Sequence, residues 1–352
     1  MKQSGLPYIP IVHGATDGRP DEADTLEAAE AISETLRGLG YASDLVHVAL
    51  DLSPLEAMAS RRPLVVFNLV EGIRTDLRLQ PIVPAILDRM KLAFTGSGFD
   101  AMVAAGSKVR SKHLLKAASV ATPAWIDGIR NPLPSDTLVL VKSDSEHASV
   151  GIDATSVVPA ARAQEVIAER ERAFGGRFFA EVFIEGREFN VAMLAGPDGP
   201  EVLPIPEIVF VGYPEDKPRI VDYDAKWSAD SFAYNNTPRD FGIEKSDARL
   251  ARKLKRMALD CWRVFGLAGY ARVDFRVDAM GKPWVIDVNT NPCITPDAGF
   301  AATASQANIA YPSLIQRIVQ AALPKPQIVV GADHLAEPEL SPDRPASLAD
   351  AW

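Results

Sequence analysis

An α/β fold of more than one lobe is what the sequence predicts, and three observations predict it. The chain has 352 residues, long for one compact domain. Its first 98 residues read strand, helix, strand, helix, strand, the order of a βαβ-type unit. Two β-branched runs, 270–277 and 283–288, flank the turn Asp278-Ala279-Met280-Gly281 and form an antiparallel pair remote from that unit.

The elements follow in order. After the apolar run 8–12 comes a polar stretch, and then Leu26, Ala29, Ile32, Ser33 and Leu36 recur at helical spacing until Gly38 and Gly40 stop the pattern. The run 64–69 is continuous and β-branched-rich, as in a strand buried on both faces. A helix at 79–90 and a short strand at 92–95 complete the first lobe, which ends at Gly98. A helical pattern fills 101–118, Pro123 breaks it, and a β-run at 137–142 leads into the loop 143–151. A charged helix covers 162–173, and the stretch 177–194 alternates with a break at Glu185-Gly186, a hairpin signal. The polar segment 212–241 has little periodicity, and loops this long usually cover binding sites, so a mobile functional loop is expected there. Helices at 246–265 and 313–323 bracket the antiparallel pair, and 325–352, rich in Pro, Asp, Ala and Glu, reads as a disordered tail.

Composition narrows the classes. Hydrophobic residues make up 47% and charged residues 24%, which excludes a fibrous chain or one disordered throughout. Lys and Arg number 37 against 46 Asp and Glu, a formal net charge of -9 with no basic tract, so nucleic acid is not the expected ligand. Cys261 and Cys293 offer no disulfide framework, and the five histidines lack metal-ligand spacing. With no apolar leader and no run near the ~18 apolar residues of a membrane span, the expectation is a cytoplasmic protein away from the membrane.

A G-x-S-x-G elbow, a Walker A loop, an H-E-x-x-H helix and paired C-x-x-C are all missing, so serine hydrolases, P-loop enzymes and zinc proteases recede. Gly96-Ser97-Gly98-Phe99-Asp100-Ala101 matches a dinucleotide fingerprint, but its partner acidic residue is lacking, and a tight turn between lobes is the alternative.

The segment YARVDFRV…PWVIDVNTNPCITP carries more. Pairing Val277 with Trp284 sets Asp274 opposite Asp287, with Asn289 and Arg272 on the same face. Opposed carboxylates repel unless a cation lies between them, and two carboxylates with a carboxamide suit magnesium shared with phosphate oxygens. A solvated hairpin face neutralised by Arg272 and Arg276 is the alternative. In FFAEVFIEGREFNV, Glu181 and Glu188 suit a purine amino group and ribose hydroxyls, though hairpin charges more often face solvent. Lys108 at a helix start, Lys142 ending the apolar strand LVLVK and Lys226 in DYDAKW are separated cations that phosphates would satisfy, with surface snorkelling as the alternative.

Several segments in fixed order then resemble the ATP-grasp superfamily, and within it the D-alanine:D-alanine ligases, over nearly all of residues 8–324. They are FTGSG at 94–98, Lys108 with SKHLL, TPAW at 122–125, VKSDSEHASVGI, FIEGREFNV, DYDAKW, GYARVDF and DVNTNP. The resemblance implies a three-lobed α/β ATP-grasp fold: an N-terminal βαβ-type, substrate-side lobe at 1–98, a small central α+β lobe at 99–182, and a C-terminal lobe with an antiparallel sheet at 183–324, its lid at 212–241. It implies ATP as cofactor with two Mg2+ ions, Mn2+ being an alternative, and ligation of a small-molecule carboxylate to an amine through an acyl phosphate. Lys108 and Lys142 would hold phosphates, Glu181, Val182 and Ile184 would line the adenine slot, and Glu188 would take the ribose. Asp274, Asp287 and Asn289 would bind metal, Arg272 would stabilise the oxyanion, and Lys226 would reach the γ-phosphate. Relatives are commonly homodimers.

Departures fall on the amino-acid side. The family's usual Glu reads Asp287, its closing serine Ala148 and its loop tyrosine Trp227, while a Gly becomes Cys293 and a Ser becomes Ala298. Asp21 is the match for the glutamate that binds the first amine, and the usual His-Gly reads Glu71-Gly72. The expectation is therefore a ligase with a changed substrate pocket. A D-alanine:D-alanine ligase of relaxed specificity and a non-catalytic ATP-binding interaction module remain as alternatives.

Overall fold

The computed structural model describes residues 5–14, 20–74, 76–126, 133–145 and 149–324, so the expected tail at 325–352 and Ala148 lie outside the described residues. The N-terminal part contains β1 (Ile11–His13), α1 (Pro20–Gly38), β2 (Leu45–His47), α2 (Ser53–Ser60), β3 (Phe67–Asn68) and α3 (Ile82–Arg89), with the strands parallel in the order β2-β1-β3. Burial explains the continuous run at 64–69. Val65, Phe67 and Leu69 enter one core with Ile9, Ile11 and Ile32, while Val66 and Val70 enter another with Val12 and Leu55. The strand expected at 92–95 is a single bridge, Phe94 to Val66. Elements β2 and α2 are too short to show a period.

Next come α4 (Phe99–Ala105), α5 (Lys108–Ala117), β4 (Trp125–Ile126), β5 (Leu138–Ser143), β6 (Val157–Pro159), α6 (Ala163–Phe174) and β7 (Phe178–Val182), the strands forming an antiparallel sheet in the order β4-β7-β5-β6. The helix expected over 101–118 is two helices. Ser107 caps the second by accepting from the Arg110 N–H at 3.2 Å, and its hydroxyl donates to Asp144 at 2.9 Å. On β5, Val139 and Val141 point into a core with Val166 and Ala180, so the alternating positions Leu140 and Lys142 face the other way.

The C-terminal part holds β8 (Arg187–Gly196), β9 (Gly199–Val202), β10 (Glu207–Ile208), α7 (Tyr223–Trp227), α8 (Phe232–Asn235), β11 (Arg239–Asp240), α9 (Ile243–Ser246), α10 (Ala248–Phe265), β12 (Tyr270–Val277), β13 (Pro283–Asn289), α11 (Gly299–Gln306) and α12 (Tyr311–Ala322). The strands order as β11-β10-β8-β12-β13, with β9 also on β8. One face of this sheet, through Phe189, Val191, Val273 and Phe275, packs on Leu250, Leu254, Ala258 and Cys261 of α10. Its other face carries Glu188, Asn190, Arg272, Asp274 and Arg276, and further along Ala192, Leu194 and Tyr270 pack with α12 and the N-terminal strands. No described helix is long and apolar enough to cross a membrane.

Three expectations are corrected. The break at Glu185-Gly186 is not a hairpin, because β7 and β8 lie in different sheets and the chain crosses between them. Gly186, at φ +144°, would place a Cβ 2.0 Å from the Val277 carbonyl oxygen, which only glycine avoids. The segment 212–241 is not structureless. It holds α7 and α8, capped by Asp222 accepting from the Ala225 N–H at 2.9 Å and Ser231 accepting from the Tyr234 N–H at 3.0 Å. The turn register also differs: Asp278 accepts from the N–H groups of Met280 at 3.0 Å and Lys282 at 2.9 Å, so Val277 pairs with Pro283 rather than Trp284. A β-bulge then leaves Ile286 unpaired and restores Asp274 opposite Asp287, as expected.

We propose the lobe division at 98 and 182 with one qualification from packing: Ala101, Ala105 and Leu115 of α4 and α5 enter the α10 core, so these helices pack with the C-terminal sheet. Gly186→Ala should lower unfolding free energy by on the order of 3 kcal/mol or more. Gly38→Ala, with nothing within 4 Å of the added carbon, should stay within about 1 kcal/mol of the parent chain. Urea unfolding of both variants checks the contrast.

Candidate active site

The two antiparallel sheets face each other across a cleft of about 900 Å3, open solvent at its mouth included. Its lining brings together Lys108, Lys142, Glu181, Val182, Ile184, Glu188, Lys226, Arg272, Asp274, Asp287 and Asn289, which stand far apart in the chain. Strand alternation accounts for the charged strand positions among them, whose apolar neighbours turn to a core, while Lys108 enters from the start of α5 and Lys226 from α7. By contrast, Gly96 and Ser97 are a crossing point between lobes: the Ser97 hydroxyl accepts from the Ala268 N–H at 3.2 Å, and a Cβ on Gly269 would meet the Gly96 nitrogen at 2.8 Å.

At the inner wall, Glu181 is 2% exposed and lies between two ammonium groups, Lys142 Nζ at 2.7 Å and Lys112 Nζ at 2.6 Å. Burial opposes its ionisation, but the two lysines hold the carboxyl below its ordinary value. Lys112 is pushed down to about 8 by burial, against the pull of Glu181, and also donates to Thr122 Oγ1 at 2.9 Å and the Pro123 carbonyl at 3.0 Å. Sequence reasoning passed over Lys112, although it lies one helical turn from Lys108. Lys142 donates further to the Ile286 carbonyl at 3.0 Å, so the bulge of one sheet is tied to the strand of the other.

Farther along the cleft the aspartates meet as expected. Arg272 grips Asp274 with two bonds, 2.7 and 2.9 Å, and Asn190 and Asn289 donate to the same carboxylate at 2.9 and 3.1 Å. Asn190 is an addition to the expected set, placed by its register opposite Asp274. Asp287 lies 3.8 Å from Lys108 Nζ. Among the described residues no group of three His, Cys, Asp or Glu forms a self-sufficient metal cage. Two carboxylates and a carboxamide on one wall fit a hard cation that takes the rest of its oxygen ligands from a bound phosphate chain.

Toward the outer end, Glu188 pairs with Arg276 at 3.1 Å directly across the β8–β12 ladder. Burial raises the Glu188 carboxyl, and Arg276 offsets only part of this. Lys226 reaches the cleft from α7, its ammonium lowered first by burial and then by Arg272. The Ser149 hydroxyl donates to the Val221 carbonyl at 2.8 Å and the Tyr223 N–H to that of Ile152 at 3.2 Å, joining the loop after β5 to the 212–241 segment.

The expected substrate residues are less gathered. Cys293 lines a smaller cleft with Asp24, Thr25, Glu71 and Asn291, and its thiol is pushed up by burial and by Asp24. Asp24, one helical turn beyond Asp21, is the described carboxylate facing Cys293; the Asp21 side chain lies outside the described residues. Ala298 caps α11 without a side-chain bond, and Trp227 ends α7 without lining the main cleft.

The model of the D-ala D-ala ligase C-terminus matches residues 133–320, which cover the six-stranded sheet and every strand of the four-stranded one except β4. The chain belongs to the D-alanine–D-alanine ligase family. It is 30% identical over 308 residues to the D-alanine–D-alanine ligase of Methylococcus capsulatus, spanning 84% of this chain and 90% of that one. A Synechococcus enzyme of the same name is 31% identical over 72% of this chain and 74% of its own length. The fold agrees with the crystal structure of the Bacillus anthracis D-alanine–D-alanine ligase complexed with ATP, at a TM-score of 0.70 and 19% identity, covering 90% of this chain and 97% of that one. The fold class is thus the expected α/β ATP-grasp fold. Within this family fold, removing the charge between the two lysines should be costly: Glu181→Gln leaves buried ammonium groups unpaired and should lose about 3–5 kcal/mol of stability. Denaturant unfolding near neutral pH measures it.

Proposed function

We propose that the chain is an ATP-dependent, ADP-forming ligase that joins a carboxylate to an amine through an acyl phosphate, with a substrate pocket altered from that of a ligase for two D-alanines. One observation carries the reading. Lys108, Lys142, Lys226 and Arg272 converge on the cleft wall that also holds Asp274, Asp287 and Asn289. Cations facing carboxylates across an open cleft suit a polyanion that arrives with a divalent metal.

In this reading Val182 and Ile184 border the base, Glu188 the ribose, and Lys108 and Lys142 the phosphates. Glu181 meets the base only past its two lysines, so it acts mainly by fixing Lys142. Asp274, Asp287 and Asn289 would hold magnesium, two ions by the family resemblance and with manganese as a substitute. A metal held by these residues would supply charge neutralisation for a transferring phosphoryl group. Arg272, held by two bonds to Asp274, would face the oxyanion that forms when the amine attacks the acyl phosphate. Lys226, on a capped turn rather than a strand, approaches from the side of the lid.

The substrate side supports a different pair of reactants. Ala298 offers no hydroxyl to a second carboxylate, and Cys293 turns its side chain onto Asp24 and Thr295. Trp227 and Ala148 replace hydroxyl-bearing positions of the family pattern. Lost recognition hydrogen bonds cost specificity steeply. A cytoplasmic setting and a homodimer belong to this proposal as well.

Asp287→Ala should abolish ADP release while the far-ultraviolet spectrum stays unchanged, and chelating the divalent metal should do the same to the parent chain. Normal turnover in the variant at millimolar magnesium would remove the metal assignment. In a screen of carboxylates and amines, D-alanine with D-alanine should trail the best pair by more than about tenfold in efficiency, ~1.4 kcal/mol. A D-alanine pair at the top of the screen would point instead to a relaxed dipeptide ligase.

A further inference from the structure

Arg239 is a cation that the proposed chemistry does not use. It lies on the edge strand β11, and the ladder rows fix the face it takes: Arg239 stands opposite Ile208, Ile208 opposite Glu188, and Glu188 opposite Arg276. Residues directly opposed in a sheet share a face, so Arg239 projects to the side that carries Glu188, Asn190, Arg272 and Asp274. Its neighbour Asp240 stands opposite Glu207 and takes the other side. Nε, Nη2 and Cζ of Arg239 lie 3.3, 3.4 and 3.5 Å from the point where a Cβ on Gly299 would stand. The guanidinium therefore lies against the first residue of α11, directly after Ala298.

No hydrogen bond or ion pair joins the Arg239 side chain to another described residue. The residue as a whole is exposed, yet loss of water around the guanidinium holds it below its ordinary value, and the like charge of Arg272 lowers it further, against a smaller pull from Asp297. Two guanidinium groups that repel each other are both relieved by an anion beside them. Ala298 supplies no side-chain bond at this point, where the family pattern has a serine. A solvated arginine is the plain alternative, but an arginine that only meets water has no need of a glycine at 299, whereas any side chain there would crowd the guanidinium from its present place.

We propose that Arg239 sets the specificity for the amine substrate: its guanidinium takes a carboxylate carried by that substrate, in the place where the family pattern has a serine hydroxyl. The inference rests on the ligase reading and deepens it, since it makes the amine an amino acid, or another amine that bears a carboxylate, and excludes neutral amines. A guanidinium can meet a carboxylate with two parallel charge-assisted bonds, which are stronger and more directional than the single bond of a hydroxyl.

The test measures ADP release by the full-length chain with ATP and magnesium. The common amino acids in D and L form serve as carboxylate donors, and the same set, each beside its amino-acid amide, serves as amine acceptors. An amide keeps the amine and loses only the negative charge. With the best donor, the parent chain should use the acceptor acid more efficiently than its amide by about tenfold or more. Arg239→Gln should bring that ratio to within about twofold by raising the KM of the acceptor acid, with the KM for ATP unchanged, whereas a merely structural arginine would move all substrates alike. Arg239→Met is read against the same ratio should the Gln variant fail to fold. Equal use of acid and amide by the parent chain overturns the inference while leaving the ligase reading in place, as does an unchanged ratio in the variant. If no pair releases ADP, the ligase reading falls and this inference with it.

Discussion

The two antiparallel sheets meet over buried ammonium groups, and the remaining architecture depends on how those charges are answered. Lys142 ends an apolar strand at 5% exposure, and Lys112 is buried at 2%. Burying an ammonium group without a partner is costly. Glu181 answers both, and each lysine also reaches across toward β13: Lys142 through the Ile286 carbonyl, Lys112 through Thr122, whose hydroxyl donates to the Val285 carbonyl at 2.8 Å. The contact between the sheets is therefore directional. A greasy interface could slide, but one built on charge-assisted bonds has a single good register.

That register is what brings the distant charged residues into one cleft. The six-stranded sheet separates its faces cleanly, with Phe189, Val191, Val273 and Phe275 against α10 and Glu188, Asn190, Arg272, Asp274 and Arg276 toward the opening. The same open face continues into Ala192, Leu194 and Tyr270, which are buried with the N-terminal strands and α12. One strand, β12, thus serves an apolar core, a charged wall and a contact between lobes. Such a strand has little freedom to vary.

Much of this was legible in the sequence, for physical reasons that can be named. The Asp274–Asp287 pairing was reached from a turn register one residue out, Val277 with Trp284, and it holds because the bulge at Ile286 offsets that shift; Lys142 stood out because an ammonium at the end of LVLVK is costly near a core without a partner. The family likeness ordered the remaining segments. What stayed hidden depends on contacts between residues far apart in the chain. No local period distinguishes a hairpin at Gly186 from a crossing between sheets, since both call for alternation and a glycine. The polar segment around Lys226 showed no periodicity because its helices are only a turn or so long, and only their Asp222 and Ser231 caps signal them. Arg276 looked like a neutraliser of neighbouring aspartates; its bonds to Glu188, Ile184 and Arg219 come from partners 88, 92 and 57 positions away.

The bulge at Ile286 has a consequence for descent. Because the extra residue stands outside the ladder, its carbonyl is available to Lys142, and that service comes from the backbone rather than from the isoleucine side chain. Many amino acids could occupy the position without disturbing the bond. What a lineage must inherit there is a length: the number of residues between Trp284 and Asp287. A comparison scored by residue identity would pass over this site as variable, while a single-residue deletion in the same place would take away the carbonyl that Lys142 reaches.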